Sequence, residues 1–164
     1  MGKILCYSRN RATSVEQVDE NTLISTCRLQ DTLTDASVTI RVSLPELEIF
    51  AAYGKFTRFS RKECKDAEEA LEKVTGIRIG AGMKKIIRGL VGEITACSEV
   101  AVLMEECCHG VILAFTKDML CKVPEDIAQE KNFFTKMVKE NIRLYNSCAA
   151  FSPGSPIVDG IDPP

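Results

Sequence analysis

The sequence predicts an α+β protein in which helices cover one face of a three-stranded antiparallel sheet. Two observations predict this class: apolar and polar residues alternate between residues 22 and 44, and apolar residues recur at helical spacing after residue 60. Strands that precede a run of helices are typical of α+β domains. A C-terminal helix and an extended tail complete the prediction.

The predicted organisation has three parts. An N-terminal arm covers residues 1–20, a single α+β domain covers residues 21–148, and an extended or disordered tail covers residues 149–164. The arm is polar and weakly patterned. The tail contains four of the six prolines and lacks an apolar period, which is typical of segments without a packed core.

Three adjacent segments predict strands. In the first, from Thr22, every second residue is suited to a core, and residues 38–44 repeat this two-residue period. Residues 47–59 are rich in aromatic and β-branched residues and form the third segment. Because short turns join the segments, they predict an antiparallel meander.

Four helices are predicted after the strands, over about residues 60–74, 82–90, 95–115 and 125–147. The first begins with a capping box of Ser60 and Glu63 and stops at Gly76, which is free to adopt a left-handed conformation. Thr95 caps the third helix, which is apolar on more than one side and is therefore expected to be central and buried. Pro124 is expected at the start of the fourth.

Bulk charge and hydropathy exclude two classes of partner. The net charge is −2 and the isoelectric point is near 5.6, so nucleic acid is not the expected partner. The longest apolar stretch, residues 111–115, is too short to cross a bilayer, so no membrane partner is expected. The N-terminal apolar run is too short for a signal peptide, and the expected location is the cytoplasm.

Eight cysteines are the most informative feature of the composition. In a reducing compartment they are core residues, metal ligands or reactive thiols rather than disulfides. Cys64 and Cys97 fall where helices are predicted to begin, and a helix N-terminus favours the thiolate. Both have an alternative interpretation: Cys64 also lies on the apolar stripe of its helix, and the position of Cys97 depends on where the third helix begins.

Three further residues are candidate ligands: Cys108, His109 and Cys148. His109 is the only histidine and follows two cysteines, but adjacent helical residues diverge by about 100° and do not converge on one ion. If both lie on one helix, Cys97 and Cys108 share a face at a separation of roughly 16 Å, which is too long for one ion. The objection weakens if Cys97 stands on a loop that folds back. Asp31 and Asp35 are expected to serve a turn.

The segment from Ser37 to about Phe115 resembles the NifU/IscU-type iron–sulfur scaffold domain. Residues 38–42 are similar to the middle strand of that family, and residues 48–56 are similar to its third strand. Cys64 and Cys97 occupy the places of two family cysteines that hold a nascent cluster or accept sulfur. The family's Cys-Gly-Asp between its first two strands is absent here.

Most of the chain also resembles an uncharacterised bacterial domain-of-unknown-function family. The similar positions run from Cys64 through Gly76, Gly82 and Gly92 to Cys97, with residues 146–148 near the end. This resemblance implies no activity.

These observations lead to two hypotheses of different class. In the first, Cys64 and Cys97 form a thiol site, completed by Cys108, His109 or Cys148, that binds an iron–sulfur cluster or zinc or carries persulfide sulfur. Its partner would be another protein in sulfur or cluster transfer, or a second copy. In the second, the protein is a non-catalytic binding module whose cysteines fill the core. An enzyme with a cysteine nucleophile is a third option, with no base evident beyond His109 and the acidic residues.

Overall fold

The computed structural model describes residues 4–58, 67–92 and 98–162. The protein belongs to the α+β class, with strands first and helices after them. The chain divides into two compact units. The first comprises Met1–Ile79 and Met83–Leu113, and the second comprises Gly80–Gly82 and Ala114–Pro164.

The first unit contains a four-stranded antiparallel sheet. Its strands are β1 (Arg9–Asp19), β2 (Thr22–Asp31), β3 (Asp35–Ser43) and β4 (Glu48–Arg58), and they lie side by side in chain order. Each strand therefore pairs with its neighbour in sequence, which makes the sheet the predicted meander with one strand added.

The prediction of three strands is wrong, because β1 forms within the segment predicted to be an arm. This strand pairs with β2 along almost its whole length, for example Arg11 with Leu29 and Ser14 with Thr26. All of its residues are exposed except Val15, which is half-buried. An edge strand with so little buried surface carries no apolar alternation, and the sequence pattern consequently gave no sign of it.

The two middle strands confirm the predicted alternation. Every second residue of β2 and β3 is buried and faces the core, and the residues between them are half-buried or exposed on the other face. The buried set comprises Leu23, Ser25, Cys27, Leu29, Asp31, Ala36, Val38, Ile40 and Val42. One face of the sheet therefore packs against the hydrophobic core.

The described helices are α1 (Ala67–Glu72), α2 (Met83–Ile87), α3 (Ser98–Leu120) and α4 (Ile127–Glu140), and a π-helical turn, Arg88–Gly92, follows α2. None of them combines the length and apolar character needed to cross a membrane. The predicted capping box at Ser60 and Glu63 and the predicted cap at Thr95 lie outside the described residues.

Two of the predicted helix boundaries depend on a named residue that the structure describes. Gly76 has a φ of 87°, as predicted for a left-handed stop, although α1 itself ends earlier, at Glu72. The predicted start at Pro124 is wrong. Asp126 caps α4 instead, because its carboxylate accepts hydrogen bonds from the amides of Ala128 and Gln129. The fourth helix was also predicted to end near residue 147, but α4 ends at Glu140.

Helix α3 is the central helix of the core, as its sequence predicted. Its buried residues are Val100, Ala101, Leu103, Met104, Cys107, Cys108 and Val111. They join one hydrophobic cluster with the buried residues of β2, β3, β4, α1 and α2. The four-stranded sheet is therefore covered on one face by helices.

In the second unit, the C-terminal segment packs onto α4. The hydroxyl of Thr135 donates a hydrogen bond to the carbonyl of Ile157 at 2.8 Å, and the rings of Phe134 and Phe151 lie 6.1 Å apart. Val158 is buried. Where the sequence predicted an extended or disordered tail, the structure has turns, and the ring of Phe151 lies beside that of Phe134 on α4.

Candidate functional site

The two residues at the centre of the predicted thiol site, Cys64 and Cys97, lie outside the described residues. Their convergence stays a prediction. The described cysteines fall into two groups: Cys27, Cys107 and Cys108 are buried, whereas Cys6, Cys121 and Cys148 are exposed.

Cys107 lies where α3 meets the sheet. Its thiol donates a hydrogen bond to the carbonyl of Val38 on β3 at 3.3 Å. The buried hydroxyl of Ser25 on β2 donates to the carbonyl of Cys107 at 2.9 Å. Both polar groups of this interface are thus paired inside the core, as buried polar groups must be if they are not to destabilise the fold.

A glycine allows α3 to come this close to the sheet. A Cβ atom on Gly110 would lie 2.9 Å from the methyl carbon of Thr13 and 3.1 Å from a methyl carbon of Val15. It would also lie 3.4 Å from the hydroxyl of Ser25. Real Cβ contacts are almost never as short as the first of these, so the absence of a side chain at Gly110 brings the helix against β1 and β2.

Burial disfavours the thiolate form of the three interior cysteines. It raises the pKa of Cys27 and of Cys107, and it raises the pKa of Cys108 to about 12. A metal ligand or a nucleophile has to be a thiolate. The environment of Cys108 therefore works against the ligand role that the sequence allowed for it.

The other predicted ligands face different surroundings. His109 is exposed although Cys108 beside it is fully buried, which agrees with the divergence expected of adjacent helical residues. Cys148 is exposed in the second unit. Across residues 4–58, 67–92 and 98–162, no three His, Cys, Asp or Glu side chains form a group that could hold a metal ion.

The carboxylate of Asp31, at the end of β2, accepts hydrogen bonds from four different residues. Its Oδ1 accepts hydrogen bonds from the amides of Leu33 and Thr34 at 2.7 and 2.6 Å, which confirms the predicted turn role. Its Oδ2 accepts from Arg9 at 2.8 Å and from Tyr7 at 3.1 Å.

The interactions of Asp31 have two consequences. Burial alone would raise the pKa of this carboxyl group. Hydrogen bonds from the amides of the turn and from Tyr7 and Arg9 together lower it by more, so its pKa lies below the ordinary value. Arg9 also contacts Glu99 of α3 at 3.1 Å. The start of β1 is thereby tied to β2 and to α3, a connection for which the sequence carried no signal.

The outer edge of β1 presents backbone groups that β2 does not use. The amide of Leu44 donates to the carbonyl of Asn21, and the amide of Asp31 donates to the carbonyl of Thr34. Since hydrogen-bonded pairs alternate along an antiparallel ladder, the odd-numbered residues of β2 bond to β3. Even-numbered residues of β2 therefore bond to even-numbered residues of β1. The N–H and C=O groups that point outward belong to Arg9, Arg11, Thr13, Val15 and Gln17.

Among the described residues, β1 pairs with β2 alone. This makes the outer edge of β1 a second candidate site, which could bind an extended chain. Comparison of the sequence with protein-family models, with curated proteins and with solved structures finds no match in any of the three.

Proposed function

We propose that the protein is a non-catalytic interaction module that binds an extended partner along its sheet, with its interior cysteines acting as core residues. The observation that carries this proposal is the placement of Cys27, Cys107 and Cys108. All three are fully buried where α3 packs on the sheet. Their number reflects packing at a helix–sheet interface rather than chemistry.

The outward edge of β1 supports the binding part of the proposal. Strand addition uses unpaired backbone groups for affinity and alternate side chains for specificity. On β1, five residues present such groups in one row, and the strand is 11 residues long. This length matches or exceeds that of the other three strands, so a partner strand could pair along it as fully as β2 does.

The thiol hypothesis remains a prediction from the sequence. A site at Cys64 and Cys97 for an iron–sulfur cluster, zinc or persulfide sulfur depends on residues outside the described ranges. The same holds for the resemblance to the NifU/IscU-type scaffold fold and for a partner in sulfur or cluster transfer. The four-stranded sheet is one strand larger than the sheet of that family.

Metal content and thiol accessibility test the proposal together. The chain and a Cys64→Ser/Cys97→Ser variant are purified without oxygen, and their absorption spectra and their iron and zinc contents are measured. We expect both proteins to be colourless and free of metal. Labelling with a thiol reagent before and after unfolding, read by mass spectrometry, should modify Cys27, Cys107 and Cys108 only after unfolding, since their burial excludes the reagent.

A matched control uses exposed cysteines. A Cys6→Ser/Cys121→Ser variant removes two thiols from the surface and leaves Cys64 and Cys97 in place. Stoichiometric iron or zinc in the chain and in this control, but not in the Cys64→Ser/Cys97→Ser variant, would establish the thiol site and overturn the proposed function. Rapid native labelling of the interior cysteines would contradict their role as core residues.

A further inference from the structure

We propose that the partner of the β1 edge is a second copy of this chain, paired antiparallel through β1 so that the two sheets become continuous. This inference rests on the proposed function, because it uses the same edge. It goes further by naming the occupant, the direction of pairing and the register.

The edge carries only part of the usual protection against self-pairing. Natural sheets block their edges with prolines, charged side chains (lysine above all), bulges or very short strands. Residues 9–19 contain no proline and no lysine, and the strand has 11 residues. Its one irregularity lies between Gln17 and Asp19, at the end of the strand. The row of outward backbone groups before Asp19 is therefore regular and open to a partner.

Charge along β1 selects a second copy and an antiparallel direction. Arg9 and Arg11 stand at the beginning of the strand, and Glu16 and Asp19 stand near its end. Antiparallel self-pairing places the basic end of each copy beside the acidic end of the other. Parallel self-pairing would place like charges side by side, which destabilises neighbouring strands.

The register follows from which residues point outward. The five outward residues are symmetric about Thr13, so a two-fold axis at Thr13 lets every one of them bond to the other copy. Arg11 then lies opposite Val15, and Arg9 lies opposite Gln17. On the other face of the sheet, Asn10 lies opposite Glu16.

Exposed apolar side chains flank both ends of the edge. Ile4 and Leu5, just before β1, are 85% and 83% exposed, and Val18 near its end is 55% exposed. In the antiparallel register, Val18 of one copy lies near the N-terminal segment of the other. The pairing thus brings exposed apolar side chains of the two copies toward each other at both ends of the edge.

Sedimentation of the full chain at several protein concentrations tests the dimer, with two variants at one position. Arg11→Pro and Arg11→Ala both remove the 3.4 Å ion pair with Glu106, but only the proline also removes an outward N–H. We expect a dimer for the chain and for Arg11→Ala. For Arg11→Pro we expect the dissociation constant to rise about thirtyfold, because one donor is lost on each copy.

A second pair of variants tests the register. Asn10→Lys places a cation opposite Glu16 of the other copy, and Asn10→Glu places an anion there. Asn10 is exposed, so neither change should alter the fold. We expect Asn10→Lys to tighten the dimer and Asn10→Glu to weaken it, and added salt should reduce both effects.

Three outcomes overturn the inference. These are a wild-type chain that is monomeric at all concentrations, a dimer that Arg11→Pro leaves unchanged, and Asn10 variants whose effects are equal or reversed.

Amide exchange by NMR separates failure of the dimer inference from failure of the proposed function. Fast exchange of the outward β1 amides in a monomeric protein means that the edge is open and the proposed function stands. Slow exchange there means that the chain covers its own edge, which overturns both.

Discussion

The two edge strands of the sheet, β1 and β4, differ in how their outer backbone groups are paired. At the start of β4, these groups bond to a segment outside the sheet: the amide of Ile49 donates to the carbonyl of Ile77 at 2.9 Å, and its carbonyl accepts from the amide of Gly76 at 2.7 Å. Ile79 donates to the carbonyl of Leu47 at 2.8 Å. Among the described residues, the outer edge of β1 has no such cover.

The side chains at the two edges differ in the same sense. Ile49 and Ile79 are buried in the hydrophobic cluster, whereas β1 meets α3 through Thr13 and the half-buried Val15 beside Gly110 and through ion pairs. These include Arg9 with Glu99 at 3.1 Å and Arg11 with Glu106 at 3.4 Å, all with exposed or half-exposed side chains. The β4 edge is therefore part of the core, whereas β1 lies at the margin of the core.

The largest expected effect comes from shortening an apolar side chain at each edge. Ile49→Ala should lower the free energy of unfolding by about 2–5 kcal/mol, because Ile49 is fully buried and its loss leaves a cavity. Val15→Ala, the matched change on β1, should cost only about 1 kcal/mol, since Val15 is half-buried. Urea unfolding followed by circular dichroism measures both. Equal losses would show that the two edges contribute equally to the fold.

A smaller effect is expected where the β4 edge receives its cover. Gly76 has a φ of 87°, so Gly76→Ala should cost about 1–2 kcal/mol by forcing a side chain into the left-handed region. Gly89→Ala is the control, because the added Cβ has no neighbour within 4 Å and the φ of Gly89 lies outside that region. We expect the control to be as stable as the wild type or more stable. A loss of the same size in both variants would remove the backbone explanation.

The fold was predictable where one face of an element is buried and the other is not. The alternation from Leu23 to Leu29 and from Val38 to Val42 follows from a sheet covered on one side. Strand β1 could not be found in this way. Val15 is the one residue of β1 that is not exposed, and the pairing that defines the strand is made by backbone groups, which every sequence has.

The candidate site was predictable only where its contacts are local. The turn role of Asp31 follows from local spacing, because its carboxylate accepts from the amides two and three residues later in the chain. Its ion pair with Arg9 joins residues 22 positions apart, and the contact of Cys107 with Val38 joins residues 69 positions apart. No spacing rule connects such residues, so the burial of Cys107 and Cys108 emerged only from the packing of α3 on the sheet.

The smallest expected effect concerns acid, at the point where β1 is tied to β2. Because the folded pKa of Asp31 is depressed, the stability that this carboxylate contributes is present above about pH 4 and is lost as the pH falls through the folded value. Asp31→Asn should therefore flatten the dependence of unfolding free energy on pH in acid, by at most the uptake of one proton. Urea unfolding between neutral and acidic pH measures this slope, with Asp162→Asn, at an exposed position, as the control. An unchanged acid slope in Asp31→Asn would mean that the bonds of Arg9 and Tyr7 to this carboxylate do not stabilise the folded chain. Strand β1 would then be held by its backbone pairing with β2 and by its contacts with α3.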